Sequence, residues 1–350
     1  MEAAPNTAQP RWQPLKRITS LILHQWLLIG IGIVCALAYC FPDVAKHGGT
    51  IRSEYSIMYG VIAIIFLISG LSIPRQKLIS HVLNWRLHLI VQGISFLFIP
   101  ALVLAIVYII LAADPGGKID RAVLAGYIFT ACIPTTIASN VVMTRSAGGD
   151  DAAALVEVLL ANILGPFVAA AWTVELMPKM VEFDPWRYGG GDLGRALQTL
   201  SAQSIVFVVL FNIILYITLT AVCFFCSRPP QIFSSRHWSK PIFKRMSAEE
   251  TIAVCFCGPA KSTALGIPLL YAMWQPVDLF IKAKTSVPVL LYTTEQICVA
   301  HLFVQLFRWW HARIAEKQDL DSSTRDDVEI GMTENSCGDH AGRGHDDMTV

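Results

Sequence analysis

Two apolar stretches of this chain are interrupted by residues that can do polar chemistry. The first interruption reads Cys-Ile-Pro-Thr-Thr-Ile-Ala-Ser-Asn from Cys132 to Asn140, and the second reads Cys-Gly-Pro-Ala-Lys-Ser-Thr from Cys257 to Thr263. A proline removes a helical hydrogen bond, and inside a membrane the freed carbonyls are tolerated only where protein or a water-filled cavity satisfies them. Two such breaks in corresponding places predict a substrate or ion site.

The first break offers oxygen ligands. Pro134 frees a carbonyl one turn upstream, and the polar residues that follow it are Thr135, Thr136, Ser139 and Asn140. Hydroxyl and amide oxygens are hard ligands of the kind that alkali and alkaline-earth cations prefer. The alternative is a kinked helix whose hydroxyl groups bond internally.

The second break places a lysine inside an apolar run. Gly258 and Pro259 break the helix, and Lys261, Ser262 and Thr263 follow. A charge at the centre of a membrane helix costs at least about 2.5 kcal/mol, so such groups usually face a cavity or a partner. We expect Lys261 either to contact substrate or to act as the counter-ion of a buried carboxylate.

Two acidic residues are candidate partners of Lys261. Glu157 lies one to two turns into the fifth apolar run, and Glu295 lies midway along the last one. Asp150 and Asp151 begin the fifth run and are expected to cap its helix. Sequence spacing does not establish which carboxylate contacts Lys261.

The elements that position these residues are membrane helices. Of the 350 residues, 54% are hydrophobic and 15% are charged, and the mean hydropathy is +0.52, which indicates a membrane protein. Eight apolar runs are long enough to cross a hydrocarbon core of about 30 Å. They span roughly residues 19–41, 55–73, 87–112, 121–144, 152–177, 203–226, 250–273 and 287–307. The predicted fold class is an all-α, polytopic membrane protein.

Charge distribution predicts the orientation. With the N-terminus inside, the internal segments hold twelve Lys and Arg and the external loops hold nine, which favours cytoplasmic termini. Residues 1–18 then form a cytoplasmic segment, and residues 19–310 form the transmembrane domain. Residues 311–350 are acidic and poor in apolar residues, so they are predicted to be a disordered cytoplasmic tail.

Several function classes find no support in the sequence. A net charge of +1 gives no reason to expect nucleic-acid binding. No nucleophile–base pair, metal-ligand cluster or phosphate-binding glycine loop is evident, so an enzyme, a resident metal and a cofactor are not expected. The cysteines fall mainly in apolar runs and are interpreted as packing residues. The histidines interpreted as interfacial or packing residues are His24, His81, His88 and His301.

Three motifs carry a resemblance to a known family. They are Asn-Trp-Arg-Leu-His at residues 84–88, Ser-Asn-Val-Val-Met-Thr at residues 139–144, and Lys-Ser-Thr-Ala-Leu-Gly-Ile-Pro at residues 261–268. From about Lys16 to Trp310 the chain resembles the bile acid:sodium symporter superfamily. The resemblance is to its SBF-like branch, which contains a fungal regulator of calcium homeostasis and the seventh member of vertebrate solute carrier family ten.

The resemblance implies ten helices in two inverted five-helix repeats, with two broken helices that cross. Residues 19–177 correspond to the first repeat and residues 203–310 to the second. Between Trp186 and Ala202 a short polar linker stands where the family has two further spans, so the second repeat lacks one helical hairpin. A misassigned gene, which we favour, a short isoform and loss in one lineage are the open explanations.

The resemblance also implies where sodium would bind. In sodium-coupled relatives, a Ser-Asn pair in the first broken helix binds sodium together with a glutamate and a Gln-Asn pair in the second. Ser139 and Asn140 match, but Cys257 replaces the glutamate, and Lys261 and Ser262 replace the Gln-Asn pair. We expect the Lys261 ammonium to substitute for sodium, which makes any transport sodium-independent.

The function that the branch implies is negative regulation of cytosolic calcium by a transporter-like protein in the plasma membrane, or in the Golgi or endoplasmic reticulum. One alternative is a secondary carrier of a steroid-like or sulfated organic anion, attracted by Lys261 and by helix N-termini. Another is an inactive scaffold that regulates a calcium channel. The expected partners are the lipid bilayer, a small-molecule or ion substrate and, for the scaffold, that channel.

Overall fold

The computed structural model describes residues 26–45, 50–52, 56, 60, 62–71, 75–188, 202–229, 245–275 and 277–341. The predicted N-terminal segment, most of the polar linker between Trp186 and Ala202 and most of the basic loop after Ser227 lie outside these residues. The chain forms two units, Met1–Ile73 and Pro74–Val350. Each unit is described by itself below.

The first unit contains three described helices: α1 (Trp26–Cys40), α2 (Pro42–Ala45) and α3 (Ile62–Leu71). Helices α1 and α3 lie within the first two predicted apolar runs, and α2 lies between these runs. The chain leaves the helical conformation after Cys40, and Pro42 is the first residue of α2, a position where the missing proline N–H removes no helical bond. Ile33, Val34 and Leu37 of α1 are exposed, which suits a helix that meets lipid.

The second unit contains ten further described helices. They are α4 (Arg75–Val82), α5 (Trp85–Ala113), α6 (Arg121–Cys132), α7 (Ala138–Ser146), α8 (Asp151–Leu176), α9 (Asp184–Tyr188), α10 (Ala202–Ser227), α11 (Ala248–Cys257), α12 (Thr263–Met273) and α13 (Leu279–Ala341).

Four stretches of these helices are long and apolar enough to cross a membrane: Trp85–Ala113, Asp151–Leu176, Val206–Ser227 and Phe280–Lys317. They coincide with four of the predicted runs. Two other predicted runs, 121–144 and 250–273, each form a pair of shorter helices separated by non-helical residues. The described chain is therefore all-helical and polytopic, as predicted.

The long helix α13 continues beyond the last apolar run. Its backbone is helical to Ala341, so residues 311–341 are helical where their composition predicts disorder. The costly step of helix formation is the first turn, and each further residue adds one hydrogen bond, so an apolar helix extends readily into polar sequence. Side chains of α13 are described as far as Lys317.

Polar caps fix where the helices around the two breaks begin. Asp150 accepts hydrogen bonds from the N–H groups of Ala152 and Ala153 at the start of α8, which confirms its predicted role as a cap. Ser247 accepts from the N–H of Glu250 at the start of α11. Each bond satisfies a donor that the first helical turn leaves unpaired.

Two glycines let the helices approach closely. A Cβ on Gly126 of α6 would overlap the carbonyl oxygen of Thr285 in α13. A Cβ on Gly165 of α8 would lie 2.5 Å from Cγ of Pro134. Helix α8 therefore packs directly on the residues between α6 and α7, and α13 packs on α6. These contacts hold the first break between two long helices.

Candidate functional site at the two helix breaks

The two breaks are joined by a main-chain hydrogen bond. Helix α6 ends at Cys132, and Ile133 has an extended conformation with φ −70° and ψ 155°. Helix α11 ends at Cys257 and α12 begins at Thr263, after Ser262 with φ −105° and ψ 118°. The N–H of Ser262 donates to the carbonyl of Pro134 at 2.9 Å. The non-helical segments therefore meet.

Lys261 is buried where the segments meet, with 1% of its surface exposed. Its Nζ donates to the carbonyl oxygens of Ser95, Ala131 and Ile133 at 2.9, 2.8 and 3.0 Å, and it lies 3.2 Å from Oγ of Ser95. An ammonium group has three N–H donors, so the three carbonyls use all of them. The charge is surrounded by oxygen atoms, as a bound cation would be.

The carbonyl of Ser95 is free to accept because of the local helix geometry. Residues Ile94–Phe98 form a π-helical turn of α5, in which the N–H of Ile99 donates to the carbonyl of Ile94. Pro100 has no N–H. Ser95 therefore has neither the α-helical donor at Ile99 nor the π-helical donor at position 100. Such π turns frequently mark functional sites.

The other two carbonyls come from the end of α6. The last four carbonyls of a helix have no partner within it, and they form the negative end of the helix dipole. Ala131 and Ile133 lie at this end, where the chain turns away from the helical path. The ammonium of Lys261 therefore satisfies two unpaired acceptors and lies at the end of α6 that favours a positive charge.

The two candidate counter-ions, Glu157 and Glu295, have other surroundings in the described part of the chain. Among the described residues, neither Glu157 nor Glu295 forms an ion pair with Lys261. Glu157 binds side chains of α5 instead, and Glu295 is half-buried, with an Oε2 that has no hydrogen-bond partner in the described part of the chain. Backbone carbonyls therefore accept from Lys261 where one of the two sequence-based expectations places a carboxylate.

Helix α13 holds the second break through side chains that sequence reasoning did not assign to the site. Oε1 of Gln296 accepts from the N–H of Lys261 at 2.9 Å, and Nε2 of Gln296 donates to the carbonyl of Lys261 at 2.8 Å. The hydroxyl of Tyr292 donates to the carbonyl of Pro259 at 2.7 Å. An amide in the middle of an apolar span was the signal that could have identified Gln296.

The four oxygen-bearing residues of the first break bond one another. Asn140 donates through Nδ2 to Oγ1 of Thr135 at 2.6 Å and accepts at Oδ1 from Thr136 at 2.8 Å. Ser139 donates to Oγ1 of Thr136 at 2.9 Å. The polar atoms of these residues are used internally, in the manner of the kinked-helix alternative.

Ser262 and Thr263 begin α12. Ser262 is buried and occupies the cap position, but its side chain makes no capping hydrogen bond to α12. Asn162 of α8 donates to the carbonyl of Thr135 at 3.3 Å, and its Oδ1 is buried without a hydrogen-bond partner among the described residues. Near the breaks, Oδ1 of Asn162 is therefore still able to accept a hydrogen bond.

A second polar cluster lies beside the breaks, between α5 and α8. Glu157 is fully buried, and its Oε1 lies 2.6 Å from Nδ1 of His88. Its Oε2 accepts from Nε2 of Gln92 at 2.8 Å. The interpretation of His88 as an interfacial or packing residue therefore has to be extended by a polar contact. The two residues lie 69 positions apart, so their spacing could not reveal the contact.

The same correction applies to His81 of α4, whose Nε2 lies 2.9 Å from Oδ2 of Asp150. In the described part of the chain, no three His, Cys, Asp or Glu side chains are grouped as metal ligands would be. The polar chemistry at the breaks consists of one buried ammonium, backbone carbonyls, amides and hydroxyls. Such groups can bind and orient a solute or an ion.

Comparison with known proteins identifies close similarity to membrane transporters. The sequence model of the SBF-like CPA transporter family matches residues 25–192 and 193–309. Solute carrier RCH1 of Candida albicans is 32% identical over 392 residues, which cover 89% of this chain and 95% of the relative. Solute carrier RCH1 of Saccharomyces cerevisiae is 30% identical over 397 residues, covering 89% and 90%. Sodium/bile acid cotransporter 7 of Danio rerio is 26% identical over 325 residues, covering 83% and 95%.

The fungal alignments are longer than this 350-residue chain, although only 89% of the chain takes part. These relatives therefore contain residues that have no counterpart here. The two matched segments of the family model also meet at residues 192 and 193, within the polar linker. The family match extends over most of the sequence and confirms the resemblance seen in the three motifs. The chain therefore belongs to the SBF-like CPA transporter family, a family of transporters rather than enzymes.

Proposed function

We propose that this protein is a sodium-independent solute carrier that negatively regulates cytosolic calcium, in the plasma membrane or, alternatively, in the secretory pathway. The calcium role is what the similarity to the fungal and vertebrate branch implies. The observation that carries the sodium independence is the position of the Lys261 ammonium, which is bonded to the carbonyls of Ser95, Ala131 and Ile133.

A fixed ammonium at this place removes the need for sodium. Sodium-coupled relatives use oxygen ligands from both broken helices, and here the carbonyls next to the first break already bind a positive charge. Cys257 stands where those relatives have a glutamate, and its thiol makes only a weak contact with the carbonyl of Ala154, at 3.8 Å. A second cation would therefore meet a like charge without the carboxylate that could compensate for it.

The same charge argues against passage of calcium beside Lys261. Two unit charges 4 Å apart interact by about 4 kcal/mol at an effective dielectric constant of about 20, and a divalent ion doubles this repulsion. We therefore place the calcium effect in the regulation of calcium entry, with a different solute as the transported species. The protein then acts on calcium indirectly.

An organic-anion carrier is the second candidate function. Helices α7 and α12 both begin at the breaks, and helix N-termini favour anions. However, the three N–H donors of Lys261 are already bonded to carbonyls, so an anion would have to displace one of them. This candidate ranks second for that reason. No described contact favours the channel-scaffold alternative.

We also propose that the second repeat lacks one helical hairpin, which gives about eight spans instead of ten. The additional residues of the fungal relatives and the junction of the family match in the polar linker support this proposal. Sequencing the transcript between the codons for Trp186 and Ala202 tests the origin of the short linker. Additional in-frame codons there would assign the short linker to a misassigned gene rather than to the protein.

The calcium role is tested in cells that lack the endogenous protein. Cytosolic calcium is recorded after a calcium pulse in cells that express this chain, Lys261→Ala or no transporter, with membrane abundance matched. A matched control is Lys179→Ala, which removes an exposed lysine. The proposal predicts a smaller calcium rise with the chain and with the control variant, but not with Lys261→Ala. A calcium rise equal to that of empty cells, with the chain present in the membrane, would contradict the calcium role.

A further inference from the structure

The contact between His88 and Glu157 combines a buried acid with a histidine that reaches the edge of the protein. The Glu157 side chain is 0% exposed and the His88 side chain is 20% exposed. Nδ1 of His88 lies 2.6 Å from Oε1 of Glu157, and Nε2 of His88 lies 2.9 Å from the carbonyl oxygen of Val82. The imidazole ring therefore bridges two acceptors, one buried and one at an exposed turn.

These two contacts fix the number of protons. A carbonyl oxygen can only accept, so Nε2 must carry a proton for the contact with Val82. The contact between Nδ1 and Oε1 then requires a second proton, either on His88 as imidazolium or on Glu157 as the carboxylic acid. Both arrangements leave the pair neutral overall, and both hold one proton more than neutral imidazole with an ionised carboxylate.

The surrounding groups keep the shared proton on the His88 side of the carboxyl group. Gln92 donates to Oε2 of Glu157, so this oxygen acts as an acceptor and the proton lies at Oε1. Among the described titratable groups on neighbouring helices, His81 of α4 and Cys257 of α11 act electrostatically on Glu157. His81 is itself bonded to Asp150. No described lysine or arginine is paired with the buried carboxyl group.

The pair is linked to the helix breaks through one face of α5. His88, Gln92 and Ser95 follow one another at intervals of four and three residues, which places them on the same side of a helix. The first two bind Glu157, and Ser95 accepts from the ammonium of Lys261. The face of α5 that contains His88 therefore also contains Ser95, which accepts the hydrogen bond from Lys261.

We propose that His88 and Glu157 form an intramembrane proton-binding site, and that release of its proton breaks one of the hydrogen bonds by which His88 of α5 contacts α4 and α8. When one proton leaves to water, a single N–H remains on the ring for two acceptors, Val82 and Glu157, so one of the two hydrogen bonds must break. The carboxylate then carries a buried charge that the neutral ring of His88 no longer compensates. His88 lies in the first turn of the Trp85–Ala113 stretch and is 20% exposed, which gives the proton a route towards the end of the span. This inference does not depend on the calcium role.

The purified full-length protein in detergent tests the proposal through its thermal unfolding midpoint as a function of pH. Wild type loses stability as pH rises through the proton-release step, because the protonated pair is the bonded form. Glu157→Gln presents a neutral amide that can donate to Nδ1 without titrating, so the fall in midpoint at high pH should be lost. Glu182→Gln, which changes a half-exposed glutamate elsewhere, should keep the wild-type profile.

An unchanged fall in the midpoint of Glu157→Gln would assign it to other groups and overturn the proposal. If that variant does not fold, nuclear magnetic resonance of wild-type protein with 15N-labelled histidine decides, with His88→Gln used to assign the signal. The ring nitrogens of His88 should change their protonation or hydrogen bonding over the pH range in which wild type loses stability. A His88 signal that stays constant over that range would equally overturn the proposal.

Discussion

Lys261 and Ser95 form a hydrogen bond between two irregular backbone segments that arise in different ways. The acceptor carbonyl on Ser95 is released by a π-helical turn followed by a proline, and the donor side chain belongs to the non-helical segment after α11. Each segment would be costly alone in a membrane, because unpaired backbone groups have no water to bind. Through this bond, the π-helical turn of α5 and the non-helical segment after α11 stabilise each other.

The contact of Gly165 with Pro134 predicts a steric test of the first break. Gly165→Ala adds a Cβ that would lie 2.5 Å from Cγ of Pro134, so either α8 or the break must shift. We expect a loss of about 1–3 kcal/mol in the free energy of unfolding, seen as a lower thermal midpoint. Gly93→Ala is the control, because no atom lies within 4 Å of its added Cβ. Equal midpoints for the two variants would show that α8 does not pack closely on Pro134.

The paired hydrogen bonds of Gln296 predict a second test. Gln296→Leu keeps a similar side-chain volume but removes the hydrogen-bond partners of the N–H and the carbonyl of Lys261. Each buried polar group left unsatisfied costs about 1–3 kcal/mol, so the thermal midpoint should fall and the folded yield should drop. Thr294→Ala, which changes an exposed neighbour whose described hydrogen bond is to the carbonyl of Leu290 on the same helix, should have little effect. A Gln296→Leu variant as stable as Thr294→Ala would show that the hydrogen bonds of Gln296 do not stabilise the second break.

The sequence predicts the breaks well because their causes are local. Pro134 and Pro259 disrupt helices through their own covalent geometry, and a lysine inside an apolar run requires partners wherever it lies. The sequence cannot identify those partners. The carbonyl of Ser95 lies 166 positions from Lys261, and it becomes an acceptor only because a π turn shifts the hydrogen bonds of α5.

The sequence likewise cannot identify side-chain partners, as the pairing of His88 with Glu157 shows. Both residues are recognisable as polar groups in membrane segments, but the sequence does not state which faces of α5 and α8 meet. From the sequence, Glu157 is therefore only one of two candidate partners of Lys261, beside Glu295. The structure shows that helix orientation, rather than residue type, decides the partner.

The contact between Glu249 and His311 predicts how acid affects the junction of α11 and α13. The hydrogen bond from His311 lowers the pKa of Glu249 below its ordinary value of 4.5. A carboxyl group with a lowered pKa in the folded protein stabilises it above the unfolded pKa, and this contribution is lost as pH falls through the folded value. Glu249→Gln should therefore reduce the acid sensitivity of the thermal midpoint below pH 4.5. The half-exposed Glu182→Gln serves as control, and identical acid profiles for Glu249→Gln and wild type would count against this pair.

The substitution of an ammonium for sodium predicts that sodium stabilises a Lys261 variant but not the wild-type protein. Wild type should have the same thermal midpoint in sodium chloride as in choline chloride, because Lys261 already binds the carbonyls of Ser95, Ala131 and Ile133. Lys261→Met retains an unbranched side chain that is one atom shorter, but it leaves three buried acceptors unsatisfied, at about 1–3 kcal/mol each. Its midpoint should be lower in choline chloride and should recover in part in sodium chloride, since a cation can then bind the free carbonyls. Sodium-dependent stabilisation of wild type would mean that a sodium site exists beside Lys261, and the ammonium would no longer account for sodium independence.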